Sequence, residues 1–209
     1  GTYAPNQGQL NPFLLMWAYL RRAIQMGLSL HTYTEVTGFE IESGKIRGVH
    51  TNRGDFSAGA VVLATAAWTR RLGKMIAQDW NIHTFRASAM VSEPIYDLKI
   101  NNILTSADHL EMEVTSKEDA ELTVMALTQT PDNHFLIAQA DRPGEVLNGQ
   151  ISHAAPKAMA VMAGRFIPAL RKARLLRAWS APTTYTDDGC PLLGPVKAVD
   201  GLILAASYR

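Results

Sequence analysis

Residues 60–72 read "AVVLATAAWTRRL". From Ala60 to Ala64 apolar and polar side chains do not alternate, which marks a parallel strand covered on both faces. The run then stops in small residues, Ala64, Thr65, Ala66 and Ala67, before the large aromatic Trp68 and a basic helix start. Small side chains at a strand end let another group lie close against the backbone. A tight strand-to-helix turn with Trp68 in the core accounts for the same letters, and the two readings are compatible.

Upstream, "QLNPFLLMWAYLRRAIQMG" predicts a helix, with Asn11 as N-cap, Pro12 at the first helical position and Gly27 as C-cap. Leu14, Trp17, Ala18, Leu20 and Ile24 keep helical spacing, while Arg21, Arg22 and Gln25 face out. "LSLHTYTEVTGFEIE" gives one or two short strands, "SGK" a turn and "IRGVHTNRG" the next strand. Phe39, Ile41, Ile46 and Val49 alternate as a half-exposed hairpin should. Downstream, "TFRASAMVSEPIYD" is strand-like and "NNILTSADHLEMEVTSKEDAE" is a polar loop. "LTVMALTQTPDNHFLIAQA" forms a hairpin turned by Pro131, Asp132 and Asn133. "HAAPKAMAVMAGRFIPAL" is a helix with Met159, Met162, Phe166 and Ile167 on one face, ended by Pro168. "ARLLRAWSA" and "VDGLILAAS" supply the last strands.

The 209 residues are 47% hydrophobic and 19% charged, an ordinary globular composition with enough material for one sizeable core or two small ones. The formal charge of +1 gives no basic excess for nucleic acid and no acidic tail. Cys190 is the single cysteine, so no intramolecular disulfide forms, which fits a reducing, cytoplasmic compartment. The longest strongly apolar run, residues 59–68, is shorter than the roughly 20 residues a membrane span needs. Six histidines, His31, His50, His83, His109, His134 and His153, show no metal-ligand spacing. His134, just after the hairpin turn, is the one kept as a candidate. Cys190, beside Pro191, is expected to be a buried structural thiol. The start at Gly1 and the stop at Arg209, directly after a strand-like run, suggest a fragment of a longer protein.

Five stretches occur together in one order: "GQLNPFLLMWAYLRRAIQMG", "TEVTGFEIESGKIRGVHTNRG", "AVVLATAAWTRRL", "RFIPALRKARLLRAWSAPTTYTDDGCPLLGPV" and "VDGLILAAS". In that ladder the sequence resembles the D-amino-acid oxidase and sarcosine oxidase family of FAD-dependent amine oxidoreductases. Within it, the likeness is to flavoprotein subunits of heteromeric enzymes such as opine oxidases, hydrogen cyanide synthase and dye-linked proline dehydrogenases. The resemblance implies an α/β (α+β) fold: part of a Rossmann-like FAD-binding domain interleaved with an antiparallel-sheet substrate domain. Residues 1–82 and 172–209 would belong to the first and residues 83–171 to the second. The glycine-rich fingerprint that anchors the FAD pyrophosphate does not occur in this stretch.

The resemblance also implies site residues. Val36 matches the position whose backbone brackets the adenine. Ala64, Thr65, Ala66 and Trp68 match the segment against the ribityl and pyrophosphate region, with Ala66 where many members have glycine. Ser207, Tyr208 and Arg209 open the segment that follows the last strand. Thr183 stands where the family commonly places an arginine that pairs with the substrate carboxylate. Either Arg86, Arg142 or Arg209 holds that carboxylate, or the substrate differs. His134 and Arg86 complete the expected substrate contacts, and Asp187 and Asp188 read as a turn. The implied cofactor is FAD and the substrate a small amino acid or N-substituted amino acid, oxidised at its C–N bond by hydride transfer. No protein base is required, so no catalytic residue is expected. The partners implied are other subunits of a hetero-oligomer, with no nucleic acid and no membrane span. The competing readings are a non-catalytic subunit or fragment kept for assembly, and a nicotinamide-linked flavin reductase, which would need a second dinucleotide fingerprint.

Overall fold

A computed structural model describes residues 3–6, 8–106, 122–143, 147 and 149–208. The chain mixes helices and strands in three sheets. It opens with α1 (Pro12–Gln25), where the Asn11 side chain accepts from the Phe13 and Leu14 N–H groups at 3.0 and 3.2 Å. Gly27 follows in the left-handed region, φ +99°, as a helix stop requires. No α1 residue is buried, and Phe13, Leu14 and Trp17 are 67%, 69% and 57% exposed.

Next come β1 (Val36–Glu42), β2 (Lys45–Thr51) and β3 (Phe56–Ser57), a three-stranded antiparallel sheet in that order. β4 (Val61–Leu63) leads through a short 3-10 turn, Ala66–Trp68, into α2 (Thr69–Lys74). The long β5 (His83–Pro94) follows, then β6 (Leu104–Thr105), β7 (Leu122–Gln129) and β8 (His134–Pro143). α3 (Ala154–Phe166) and a 3-10 turn, Pro168–Lys172, precede β9 (Leu175–Tyr185), β10 (Leu192–Pro195) and β11 (Leu202–Ala206).

The five-stranded sheet runs β6-β7-β8-β5-β9 and is antiparallel throughout. α3 lies on one of its faces. There Met90, Met125, Leu127, Phe135 and Ile137 meet Ala155, Met159 and Ala163 of the helix, all at most 5% exposed. Burying that much apolar surface, at about 25 cal/mol per Å², is what holds helix to sheet. The third sheet runs β10-β11-β4, with β11 antiparallel to β10 and parallel to β4. Its core is separate: Leu63, Leu202 and Leu204 pack with Ile46, Leu72, Val196 and Val199. Trp80 lies against that core too, its ring filling the space beside Gly73 of α2.

Several sequence readings are corrected. The run from Ala60 is a parallel strand, paired with β11, and within this stretch of the protein one of its faces is open. β4 is an edge strand, and Val62, between Val61 and Leu63, is 56% exposed. Trp68 is not in the core but 44% exposed. On α3 the i, i+4 row Ala155, Met159, Ala163 faces the sheet, so Phe166 swings away and is 50% exposed. Ile167 has already left the helix, φ −129°, and tucks separately against the core. Cys190 is an exposed thiol, because its turn projects from the end of β9. The polar loop contains the two-residue strand β6 before it passes outside the described residues, where His109 also lies.

Candidate cofactor site at the ends of two parallel strands

In the β4/β11 pair, Val61 stands opposite Leu202 and Leu63 opposite Leu204. β4 ends at Leu63, while β11 runs on past its partner Leu204 to Ala206. Ala66, three residues beyond Leu63, has φ +45°, and Ser207, three beyond Leu204, has φ +59°. Left-handed backbone at a side-chain-bearing residue costs about 1–2 kcal/mol, so two instances at matching positions mark a strained edge of the kind that collects at binding sites. Ser207 is 4% exposed and its Oγ is buried with no hydrogen-bond partner among the described residues. An unpaired buried hydroxyl costs about 1–3 kcal/mol, which a bound polar group would remove. In the turn that leads from β4 into α2, the Thr65 and Thr69 hydroxyls lie 2.9 Å apart. Ala64 and Ala66 are exposed, so only small side chains bound the approach to the backbone.

The Ala66–Trp68 turn packs against β9, the strand that carries Thr183. Thr183 is half-buried opposite Phe85. Alternation places it with Ala181 and Trp179 on the sheet face turned away from α3. The other candidates go elsewhere. Val36 starts β1 opposite Thr51 and packs on the Ile46 core. Arg86 shares parity with the buried Ser88 and Met90, so it lies on the α3 face, where its Nη1 donates to the Gln150 carbonyl at 3.2 Å. Its backbone stands opposite Arg142 of β8. His134 pairs with Pro94, at the far end of β5, and its Nδ1 is 2.9 Å from the Ser92 carbonyl oxygen. The structure does not bring His134 or Arg86 into the group at the strand ends. Tyr208 is 57% exposed beside Ser207, and Arg209 lies outside the described residues.

The Asp187–Asp188 loop is a turn, as its sequence suggests. Asp188 Oδ1 accepts from the Cys190 N–H at 3.0 Å. That bond, helped by the Thr186 hydroxyl, holds the Asp188 carboxyl below the ordinary carboxylate range. Asp187 accepts from the Asn81 side chain and pairs with His83, joining the start of β5 to the segment after β9. Among the described residues no cluster of His, Cys, Asp and Glu could hold a metal ion, and no helix is long and apolar enough to cross a membrane. Sequence reading did not single out Thr69, although two threonines four apart across a strand-to-helix turn are a visible signal.

Ligands of parallel sheets sit outside the carboxyl ends of the strands, and this edge, with its two left-handed turns and a buried unpaired hydroxyl, is such a place. The chain belongs to the family described as DAO, FAD dependent oxidoreductase, which it matches over residues 1–209. FAD is the cofactor of that family. Among curated relatives, sarcosine oxidase subunit beta of Arthrobacter sp is 27% identical over 194 residues, covering 92% of this chain and 44% of the relative. Hydrogen cyanide synthase subunit HcnC of Pseudomonas aeruginosa is 27% identical over 204 residues, covering 96% and 44%. The crystal structure of L-proline dehydrogenase from P. horikoshii superposes with a TM-score of 0.81 at 27% identity, covering 94% of this chain and 50% of that one. The chain thus spans about half the length of these relatives.

Proposed function

We propose that the intact protein oxidises the C–N bond of an amino acid or N-substituted amino acid, giving an imine that water hydrolyses. The observation that carries this reading is the strained strand edge: Ala66 and Ser207 at matching positions, with the Ser207 hydroxyl buried and unpaired. Ala64, Thr65, Ala66 and Trp68 with Ser207 and Tyr208 would form one wall of the FAD site, and Val36 would lie toward the adenine. When bound, FAD supplies the hydride acceptor; the protein supplies orientation and exclusion of water. The β5/β9 face bearing Thr183 would cover the substrate. A threonine offers one hydroxyl where an arginine offers a bidentate fork, so substrates held without a guanidinium from β9 are favoured. Two packing clusters, one around Met159 and one around Leu202, support two units. β9 pairs with β5 along its length and Ala178 packs on the Met159 cluster, so the substrate domain would run from residue 83 to the end of β9 rather than to 171, with residues 1–82 and the segment after Tyr185 part of the FAD domain.

We further propose partner subunits and a cytoplasmic location. Two relatives are named as subunits. A non-catalytic assembly subunit is the competing reading, favoured by Thr183 at the arginine position. Absorbance of the purified full-length protein separates them. Flavin bands that bleach anaerobically with sarcosine, glycine or proline support the enzyme. Flavin bands that no amine bleaches favour the assembly subunit, and a colourless protein overturns the cofactor reading.

A further inference from the structure

The Thr65–Thr69 hydroxyl pair has a direction. Either oxygen could donate across the 2.9 Å separation. Thr69 is 0% exposed, and Thr65 is the partner of its hydroxyl among the described residues. Were Thr65 the donor, the Thr69 proton would be buried with nothing to accept it, at about 1–3 kcal/mol. Were Thr69 the donor, the Thr65 proton would be the free one, and Thr65 is only half-buried, at the open strand edge. The second arrangement wins by that margin. A hydroxyl has one proton and two acceptor sites, so Thr65, having accepted from Thr69, turns its own proton outward. It does so in the turn after β4, one residue before the left-handed Ala66; β4 pairs with β11, which is followed by Ser207, whose hydroxyl has no partner among the described residues.

We infer that Thr69 is a positioning residue: it fixes Thr65 as a hydrogen-bond donor aimed at an acceptor oxygen or nitrogen of bound FAD. The inference rests on the cofactor reading above and deepens it. Donation into Thr65 also polarises its O–H, so the outward bond is stronger than that of an isolated hydroxyl.

The test is FAD affinity of the full-length apoprotein, read by quenching of flavin fluorescence, with unfolding midpoints measured on the same apoproteins. Thr65→Val should weaken FAD by about tenfold, the value of one hydrogen bond. Thr69→Val should weaken it by about threefold, because the Thr65 proton is no longer directed. Yet Thr69→Val should leave apoprotein stability unchanged or higher, since removing the buried hydroxyl leaves nothing unpaired. Thr69→Ser should restore the parent affinity. The double variant should bind no more weakly than Thr65→Val alone, because Thr69 acts through Thr65. A Thr65→Val protein that binds FAD like the parent overturns the inference, as does a Thr69→Val loss that adds fully to that of Thr65→Val. A parent that binds no FAD at all overturns the cofactor reading, and this inference with it.

Discussion

Gly73→Ala sets two well-measured effects against each other. Gly73 sits in α2, where alanine is preferred over glycine by about 0.8–1.0 kcal/mol. Helix propensity alone therefore predicts a more stable protein. The surroundings predict the reverse. A Cβ at Gly73 would stand 2.5 Å from Trp80 Cζ3, 2.8 Å from Trp80 Cε3 and 2.8 Å from the Gln78 carbonyl oxygen. The first two belong to a rigid ring packed on the Leu202 core, and the third is backbone whose N–H already donates to the Gly73 carbonyl at 2.9 Å. None can yield by a simple rotation. Overpacking of this kind costs about 1–3 kcal/mol before relaxation, and two obstructions at once put it at the upper end. The net expectation is a loss of about 1–2 kcal/mol, or a melting temperature lower by about 2–6 °C for a protein of this size. Urea unfolding of the full-length protein, followed by tryptophan emission, measures it as a lower midpoint with unchanged slope. Trp80→Leu should remove most of the penalty, so the two substitutions should be strongly non-additive. A Gly73→Ala protein more stable than the parent would show that the Trp80 ring does not occupy this space.

Ala66→Gly should raise stability by about 0.5–1 kcal/mol, the relief of a positive φ less the extra chain entropy of glycine; a thermal melt that falls instead would place Ala66 outside the left-handed region. Met159→Ala should cost about 2–5 kcal/mol and Phe166→Ala less than about 0.5, since they are 1% and 50% exposed; equal losses in denaturant midpoints would contradict the helix orientation. Arg70 Nε donates to Asp79 Oδ1 at 2.7 Å and holds that carboxyl below its ordinary range. A depressed folded value means the stabilisation is present above the unfolded carboxyl's range and is lost as pH falls through the folded one. Arg70→Gln should return the Asp79 titration, followed by carbon-detected NMR, toward the ordinary carboxylate range.

Much of this fold is legible in the letters, because local rules set it. Asn11 before Pro12 places the start of α1, and Pro131-Asp132-Asn133 places the β7/β8 turn. What local rules cannot see is coverage. Whether Val62 is buried depends on what packs on its face of the sheet, and the composition of "AVVLA" is the same either way. Phe166 was misplaced because a four-residue helical face was drawn from size, whereas the small Ala155 and Ala163 are what let α3 approach the sheet. At the candidate site, the small residues after β4 are visible as a run. That Ala66 and Ser207 each lie three residues beyond the last β4/β11 pair is a property of strand register, which pairs residues some 140 positions apart in the chain. The Thr65–Thr69 pair needed only spacing to be seen, yet its direction required knowing that Thr69 is fully buried.

The pairing of His83 with Tyr185 has a consequence for modularity. The chain leaves for the large sheet and comes back from it on neighbouring strands, whose directly paired Cα atoms are about 5 Å apart. Everything between is a closed excursion, tied at its neck by Asn81 and His83 on Asp187. A stretch with such close ends can be lengthened, exchanged for a relative's or excised and bridged by a two-residue turn without moving the strands it springs from. The β4/β11 edge lies outside this excursion, and on the proposed reading residues 83–185 would be the unit to exchange in order to graft a new substrate preference onto this scaffold.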